Sequence, residues 1–250
     1  MARLVMVHGA FAGAWCWEPV LPGLREAGHT VETFDLPGSG SDDTPVAEVT
    51  LDAYARRVCE VLAGGPPAVL VGHSMGGMVV TQAASRSPEH VSSLVYVSAF
   101  VPVDGESLLS LTARPEAADD QIQANIVVSG DPPVAVLPDD AAREAIYGCC
   151  SEEQIQWALT HRRPQPAVPM TNPFELDPSK AEAFLGLPRS YITCLQDRSI
   201  PPGMQRLMFE RAGCDPVIEL DADHSPYLSR TDELVAALGQ LAERATFLAR

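Results

Sequence analysis

The segment Gly72-His73-Ser74-Met75-Gly76-Gly77 constrains this chain more than any other. It joins residues 68–72, an apolar run with the length of a buried strand, to a stretch of helical spacing from 75 to about 86. A strand can turn into a helix this abruptly only where the residues at the corner are small, which explains glycine at 72 and 76. The serine between them sits in strained backbone geometry at a helix N-terminus. Its hydroxyl is exposed there, and the helix dipole favours nearby negative charge. A G-x-S-x-G spacing between strand and helix is the pattern of a nucleophile elbow.

Around this corner, strand-like and helix-like segments alternate, as they do in a parallel sheet covered by helices. Strand patterns fall at 4–7, 30–34, 68–72, 91–97, 191–195 and 217–220. Helical spacing covers 17–27 (closed by Gly28), 50–63, 75–86 and 232–248. From about 102 to 188 the texture changes to many prolines and acidic patches without strand-helix alternation. The expected organisation is a core of residues 1–102 and 188–250 with a mainly helical cap inserted at 103–187. The clearest cap helix is predicted at 151–160, where Ser151, Glu153 and Gln154 suit a helix start. At 250 residues the chain is long enough for one large domain with such an insert.

The formal net charge of −16 argues against nucleic acid, whose phosphates need a basic footprint, and against an anionic membrane surface. No run reaches transmembrane length, and residues 1–7 lead straight into a strand pattern without the regions of a signal peptide. A cytoplasmic protein is expected. The six cysteines are scattered, with no CxxC and no Cys/His ligand spacing, which suits buried free thiols better than a metal site or a disulfide framework.

A serine hydroxyl is a weak nucleophile until a base takes its proton. Of six histidines only His224 follows a late strand, in Asp221-Ala222-Asp223-His224-Ser225-Pro226, before the terminal helix. Asp197, after the 191–195 strand, is placed to hold the imidazole tautomer, with Asp104 as its rival. Asp221 and Asp223 lie too near His224 in sequence and are expected to shape its loop. Backbone N–H groups of Met75 and of the loop after the first strand, best Ala10, are the expected oxyanion donors. His8 is expected to brace that loop. Phe11, Leu108, Trp157 and Phe174 are candidate pocket residues, each equally explicable as core packing.

With these residues in place, the chain resembles the plant methylesterase and hydroxynitrile lyase branch of the α/β-hydrolase superfamily. The resemblance runs through Val7-His8-Gly9-Ala10 and Gly13-Ala14-Trp15-Cys16-Trp17, then Val71-Gly72-His73-Ser74-Met75-Gly76-Gly77-Met78. It continues in Ser98-Ala99-Phe100-Val101-Pro102, Cys150-Ser151-Glu152-Glu153, Asp197-Arg198-Ser199-Ile200-Pro201 and Ala222-Asp223-His224. It implies an α/β-hydrolase fold with a small helical cap over a mostly apolar acyl pocket. It implies Ser74, Asp197 and His224 as the triad and the Ala10 and Met75 amides as the oxyanion hole. Lyases of the branch carry a threonine and a lysine where this chain has Gly9 and Ser225, so esterase chemistry is favoured.

The expectation is therefore two-step acyl transfer on a small-molecule ester, with no metal or organic cofactor and with monomer and homodimer both open. Two other readings keep the fold: a triad-dependent lyase, cyclase or lactone-opening enzyme, and a ligand receptor with little turnover.

Overall fold

Short apolar runs become strands here because the sheet they join is covered on both faces, so their side chains need not alternate in polarity. A computed structural model describes residues 1–248. In chain order the first half runs β1 (Arg3–Val7), α1 (Leu21–Glu26), β2 (Thr30–Thr33), α2 (Leu51–Ala63), β3 (Ala68–Ser74), α3 (Gly76–Arg86) and β4 (Val91–Ala99). Every residue of β1 and β3 is buried. The excursion from the sheet holds α4 (Leu108–Thr112), α5 (Gln121–Asn125), β5 (Val127–Ser129), β6 (Val134–Val136), α6 (Asp139–Ala145), α7 (Glu152–His161), β7 (Gln165–Pro166), α8 (Val168–Thr171) and α9 (Ala181–Leu185). The chain then returns through β8 (Arg189–Cys194), α10 (Pro202–Arg211), β9 (Val217–Leu220), α11 (Pro226–Ser229) and α12 (Thr231–Leu248).

The main sheet is six-stranded and parallel throughout, in the order β2-β1-β3-β4-β8-β9. The chain leaves β1 toward β2 on one side and later returns on the other with β3. Loops after these two strands diverge at their C-terminal ends and open the crevice where α/β sheets bind ligands. No helix among the described residues is long and apolar enough to cross a membrane.

Local rules account for the elements. In α2 the buried Leu51, Tyr54, Ala55, Val58 and Leu62 repeat at helical spacing, and the Thr50 hydroxyl caps it by accepting from the Ala53 N–H at 3.0 Å. Arg3, at the buried start of β1, donates to the Val61 and Leu62 carbonyls at the end of α2 and pairs with Glu32 at 2.6 Å. A cation there completes the negative end of the helix dipole. Ser151 and Gln154 form a reciprocal capping box at the start of α7.

One sequence expectation needs correction and another is extended. The continuous helix expected over 17–27 is a 3-10 turn, Ala14–Val20, followed by the short α1. Pro19 lacks the N–H that an α-ladder through this point would use. The excursion, expected to be mainly helical, also contains a small antiparallel sheet ordered β5-β6-β7. Its first two strands turn at Gly130, which has φ +89°, and the prolines at 132 and 133 had disguised the hairpin. Although α9 falls within 103–187, it packs against α3 and so stands with the helices of the main sheet.

α3 begins flush against the end of β1. A Cβ on Gly76 would lie 2.7 Å from the His8 carbonyl oxygen and 2.8 Å from that of Val7, both backbone atoms that cannot swing away. Gly76→Ala is expected to destabilise the protein by about 1–3 kcal/mol, the usual cost of overpacking, read as a lower denaturant midpoint with an unchanged slope.

Candidate active site

Ser74 ends β3 with φ +54°, a left-handed conformation forced on a non-glycine residue by the corner it occupies. Gly72 is required on the strand side, since a Cβ there would lie 2.8 Å from the Gly76 carbonyl oxygen and from a Val80 methyl. The corner delivers the Ser74 hydroxyl to His224, in the loop after β9, with Oγ 2.9 Å from Nε2. On its other side His224 Nδ1–H donates to Asp197 Oδ2 at 2.7 Å. That bond leaves Nε2 as the acceptor for the serine proton. Asp197 follows β8, so the three groups come from the C-terminal ends of three parallel strands. All three are buried, Ser74 the least at 7% exposure.

The Asp197 carboxylate is held at both oxygens. Its Oδ1 accepts from the backbone N–H of Ser199 at 2.7 Å and of Ile200 at 2.9 Å. Its Oδ2 accepts from His224, from the Ser98 hydroxyl and from Gln205 Nε2 at 3.4 Å. The rival, Asp104, is exposed and accepts from the Leu176 N–H, away from His224. Asp223 shapes the histidine loop: Oδ1 accepts from the Ser225 N–H and the Ser229 hydroxyl, and Oδ2 from the Cys149 N–H. Asp221 accepts from Gln196 at the surface.

Two further histidines serve as braces. His8 Nδ1–H donates to the Gly9 carbonyl at 2.8 Å, and Nε2 accepts from the Leu36 N–H at 3.1 Å. Burial lowers its pKa, so the neutral ring that this pairing needs is the stable form. His73 is held well below the usual histidine range by burial and by His224. Its Nε2–H donates to the His224 carbonyl at 2.7 Å, fixing that loop from inside the elbow.

Ala10 and Met75 flank Ser74 in one pocket, and neither backbone N–H donates to a protein acceptor among the described residues. Two free amides beside a nucleophile are what a developing oxyanion requires. The Ala10 loop is pinned from the insert. Gln165, buried in β7, accepts from the Phe11 N–H at 3.3 Å, and the Phe11 carbonyl accepts from the Arg163 N–H at 3.2 Å.

Ser74 opens on a narrow, mostly apolar pocket. Phe11 and Leu108 line it, together with Phe100, Ile122, Met170 and Ile200. Trp157 and Phe174 do not reach it. Trp157 packs edge-on against Trp15 with centroids 5.2 Å apart, and Phe174 packs against Phe184 at 5.8 Å. Their aromatic bulk is used in packing around the insert, and no local pattern marks which aromatic of a long excursion turns inward. Gly9 and Ser225 leave no reactive group beside the nucleophile. A Cβ at Gly9 would lie 2.7 Å from that of Ser74, while the Ser225 hydroxyl donates to the Tyr227 hydroxyl at 3.0 Å.

Sequence reasoning missed Ser98, Gln205, Gln165 and Asp120. The first three act through other residues; Gln205 and Gln165 carry no motif of their own, and the stretch Ser98-Ala99-Phe100-Val101-Pro102 did not single out its serine. Asp120 borders the pocket at the N-terminus of α5, with Oδ1 accepting from the Ile122 and Gln123 N–H groups at 2.8 and 3.0 Å. Burial pushes its pKa up to about 6, against the pull of those donors and of His224.

A family model described as the alpha/beta hydrolase family matches residues 4–237. The chain is 33% identical over 263 residues to norfluorocurarine synthase 1 of Strychnos nux-vomica, covering 97% of this chain and 96% of that protein. It is 31% identical over 253 residues to methyl jasmonate esterase 1 of Vitis vinifera, covering 96% and 97%. The crystal structure of polyneuridine aldehyde esterase superposes with a TM-score of 0.84 at 29% identity, over 96% of this chain and 99% of that one. One relative is named a synthase and two are named esterases, so the reaction has to be read from the site.

The upward shift at Asp120 has a consequence for stability. A carboxyl that titrates higher folded than unfolded loses folding free energy as pH rises from about 4 through about 6, and the loss is complete above that. Asparagine keeps the cap without the charge. Asp120→Asn is expected to stabilise the protein by up to roughly 3 kcal/mol at mildly alkaline pH, a gain that fades through pH 6 and is absent in acid. Denaturant unfolding at several pH values checks it.

Proposed function

The chain belongs to the alpha/beta hydrolase family, in its plant methylesterase-like branch, and from that premise we propose that it is a serine carboxylic ester hydrolase acting on a small-molecule ester. The observation that carries the reading is the continuous relay from Ser74 Oγ through His224 to Asp197, with spacings of 2.9 and 2.7 Å.

In this mechanism His224 Nε2 takes the hydroxyl proton as Ser74 Oγ attacks the ester carbonyl carbon. Asp197, already hydrogen-bonded to Nδ1–H, stabilises the imidazolium that forms. The carbonyl oxygen becomes an oxyanion within reach of the Ala10 and Met75 amides. Collapse breaks the bond to the alcohol oxygen, which leaves with the proton from Nε2. Water then enters by the same route, activated by His224, and releases the acid and the free serine. A pocket walled by Phe11, Phe100, Leu108, Ile122, Met170 and Ile200 suits a small or medium, largely apolar acyl or alcohol group.

Because the relay acts as one unit, Ser74→Ala and His224→Ala are each expected to lower kcat on p-nitrophenyl and methyl esters by about 10⁴- to 10⁶-fold, and the double variant should be no worse than either single one. Additive losses in the double variant, or turnover surviving in Ser74→Ala, would sink the mechanism. A fluorophosphonate should label the unmodified protein at Ser74 and leave Ser74→Ala unlabelled.

A further inference from the structure

Acyl transfer at Ser74 makes no use of Asp120, yet this carboxyl stands on the wall of the same pocket. It is only 6% exposed. One oxygen, Oδ1, caps α5. The other, Oδ2, has no protein donor among the described residues and keeps some accessible surface, and the open space that Asp120 borders is the Ser74 pocket. A hydrogen bond from the Gln121 N–H to the Arg198 carbonyl at 2.8 Å straps the segment to the loop that carries Asp197.

Capping alone does not explain an aspartate here. A serine, threonine or asparagine at 120 would accept from the same N–H groups without burying a charge. The wall of the pocket also contains no cationic side chain to neutralise it: the other polar residues are Ser74, Gln123 and Ser199. The two charged or titratable groups that act on it are His224 and Asp197, and the second of these repels it. An incoming anion would meet the Asp120 carboxylate with no cation beside it, whereas an incoming donor would meet an oxygen with nothing bound to it.

We propose that Asp120 is a specificity-determining residue, whose free carboxylate oxygen receives a hydrogen-bond donor, best a protonated amine, on the ester processed at Ser74. This rests on the reading of Ser74 as an esterase nucleophile and names the substrate class that the site selects. The ester is apolar over most of its surface and carries one donor at the position that reaches Asp120. Esters bearing a free carboxylate are disfavoured. The upward pull on the Asp120 pKa supports the assignment, since a buried carboxylate short of partners is relieved by a cation.

The test uses three unreactive ketones that copy an ester in shape and differ in one terminal group: methyl, hydroxyl or protonated amine. Their affinities for the unmodified protein and for Asp120→Asn are measured by calorimetry above the Asp120 titration range. The amine ketone is expected to bind roughly 10- to 100-fold tighter than the methyl ketone, with the hydroxyl between them, as a charge-assisted bond to a desolvated carboxylate implies. In Asp120→Asn, which keeps the cap, the amine-to-methyl ratio should fall toward one. Equal binding of all three ketones to the unmodified protein would overturn the proposal, as would an unchanged ratio in the variant. Hydroxyl preferred over amine would overturn the cationic assignment and leave a neutral donor. Fluorophosphonate labelling is run in parallel: an unlabelled Ser74 with the amine preference intact would refute the esterase reading alone.

Discussion

The corner at Ser74 is the constraint to which the rest of the molecule answers. A serine at φ +54° holds a conformation that costs of the order of 1–3 kcal/mol, so its surroundings must leave it no alternative. They do so by packing. β3 is buried along its whole length between β1 and β4, the Ser74 carbonyl accepts from the Phe100 N–H at 3.1 Å, and α3 starts directly against the carbonyls that end β1. Because packing fixes the corner, it holds the Ser74 hydroxyl toward His224 and leaves the Met75 amide beside it, unpaired among the described residues, in the same pocket. The groups proposed as nucleophile and electrostatic stabiliser are thus set by a single backbone turn.

Asp197 and Asp120 show how the protein treats buried charge in two ways. Asp197 meets donors at both oxygens, two backbone N–H groups and three side chains, and so is held in one orientation beside the imidazole. Gln205 extends that order outward, linking Asp197 to Thr193 and to the backbone of β8. Asp120 is given two donors at one oxygen and none at the other, and its pKa rises. A complete shell fits a group that must hold one orientation through every turnover. An incomplete shell fits a group whose partner comes and goes.

Much of this was legible in the sequence because the relevant signals are local. The elbow is contiguous, and the loops of Ala10, Asp197 and His224 each directly follow a strand whose apolar run announces it, so their convergence follows from the parallel sheet alone. Ser98 was harder. It lies one residue before the end of β4, and its contact with Asp197 spans 99 residues of chain that no short-range pattern connects. The hairpin of β5 and β6 was hidden for two other reasons: the prolines at 132 and 133 interrupt it, and Val127, Val128 and Val136 are exposed, so the polarity pattern of a half-buried strand is missing. Trp157 and Phe174 were plausible pocket residues on size alone, and size does not specify direction.

The division between legible and hidden parts follows the division between chemistry and selectivity. The groups proposed for bond-making sit on the sheet, where strand ends place them within a few ångströms whatever the insert contains. The pocket wall is assembled from residues 10–11, 74–75, 100, 108, 120, 122–123, 170 and 199–200, and its middle portion comes from the excursion. That excursion also reaches back, through Gln165 and Arg163, to hold the loop that presents the Ala10 amide. A change of substrate therefore need not disturb Ser74, His224 or Asp197, but a change in the insert can reach both the shape of the pocket and the position of one oxyanion donor. In the proposed mechanism, selectivity and rate are coupled through the loop after β1.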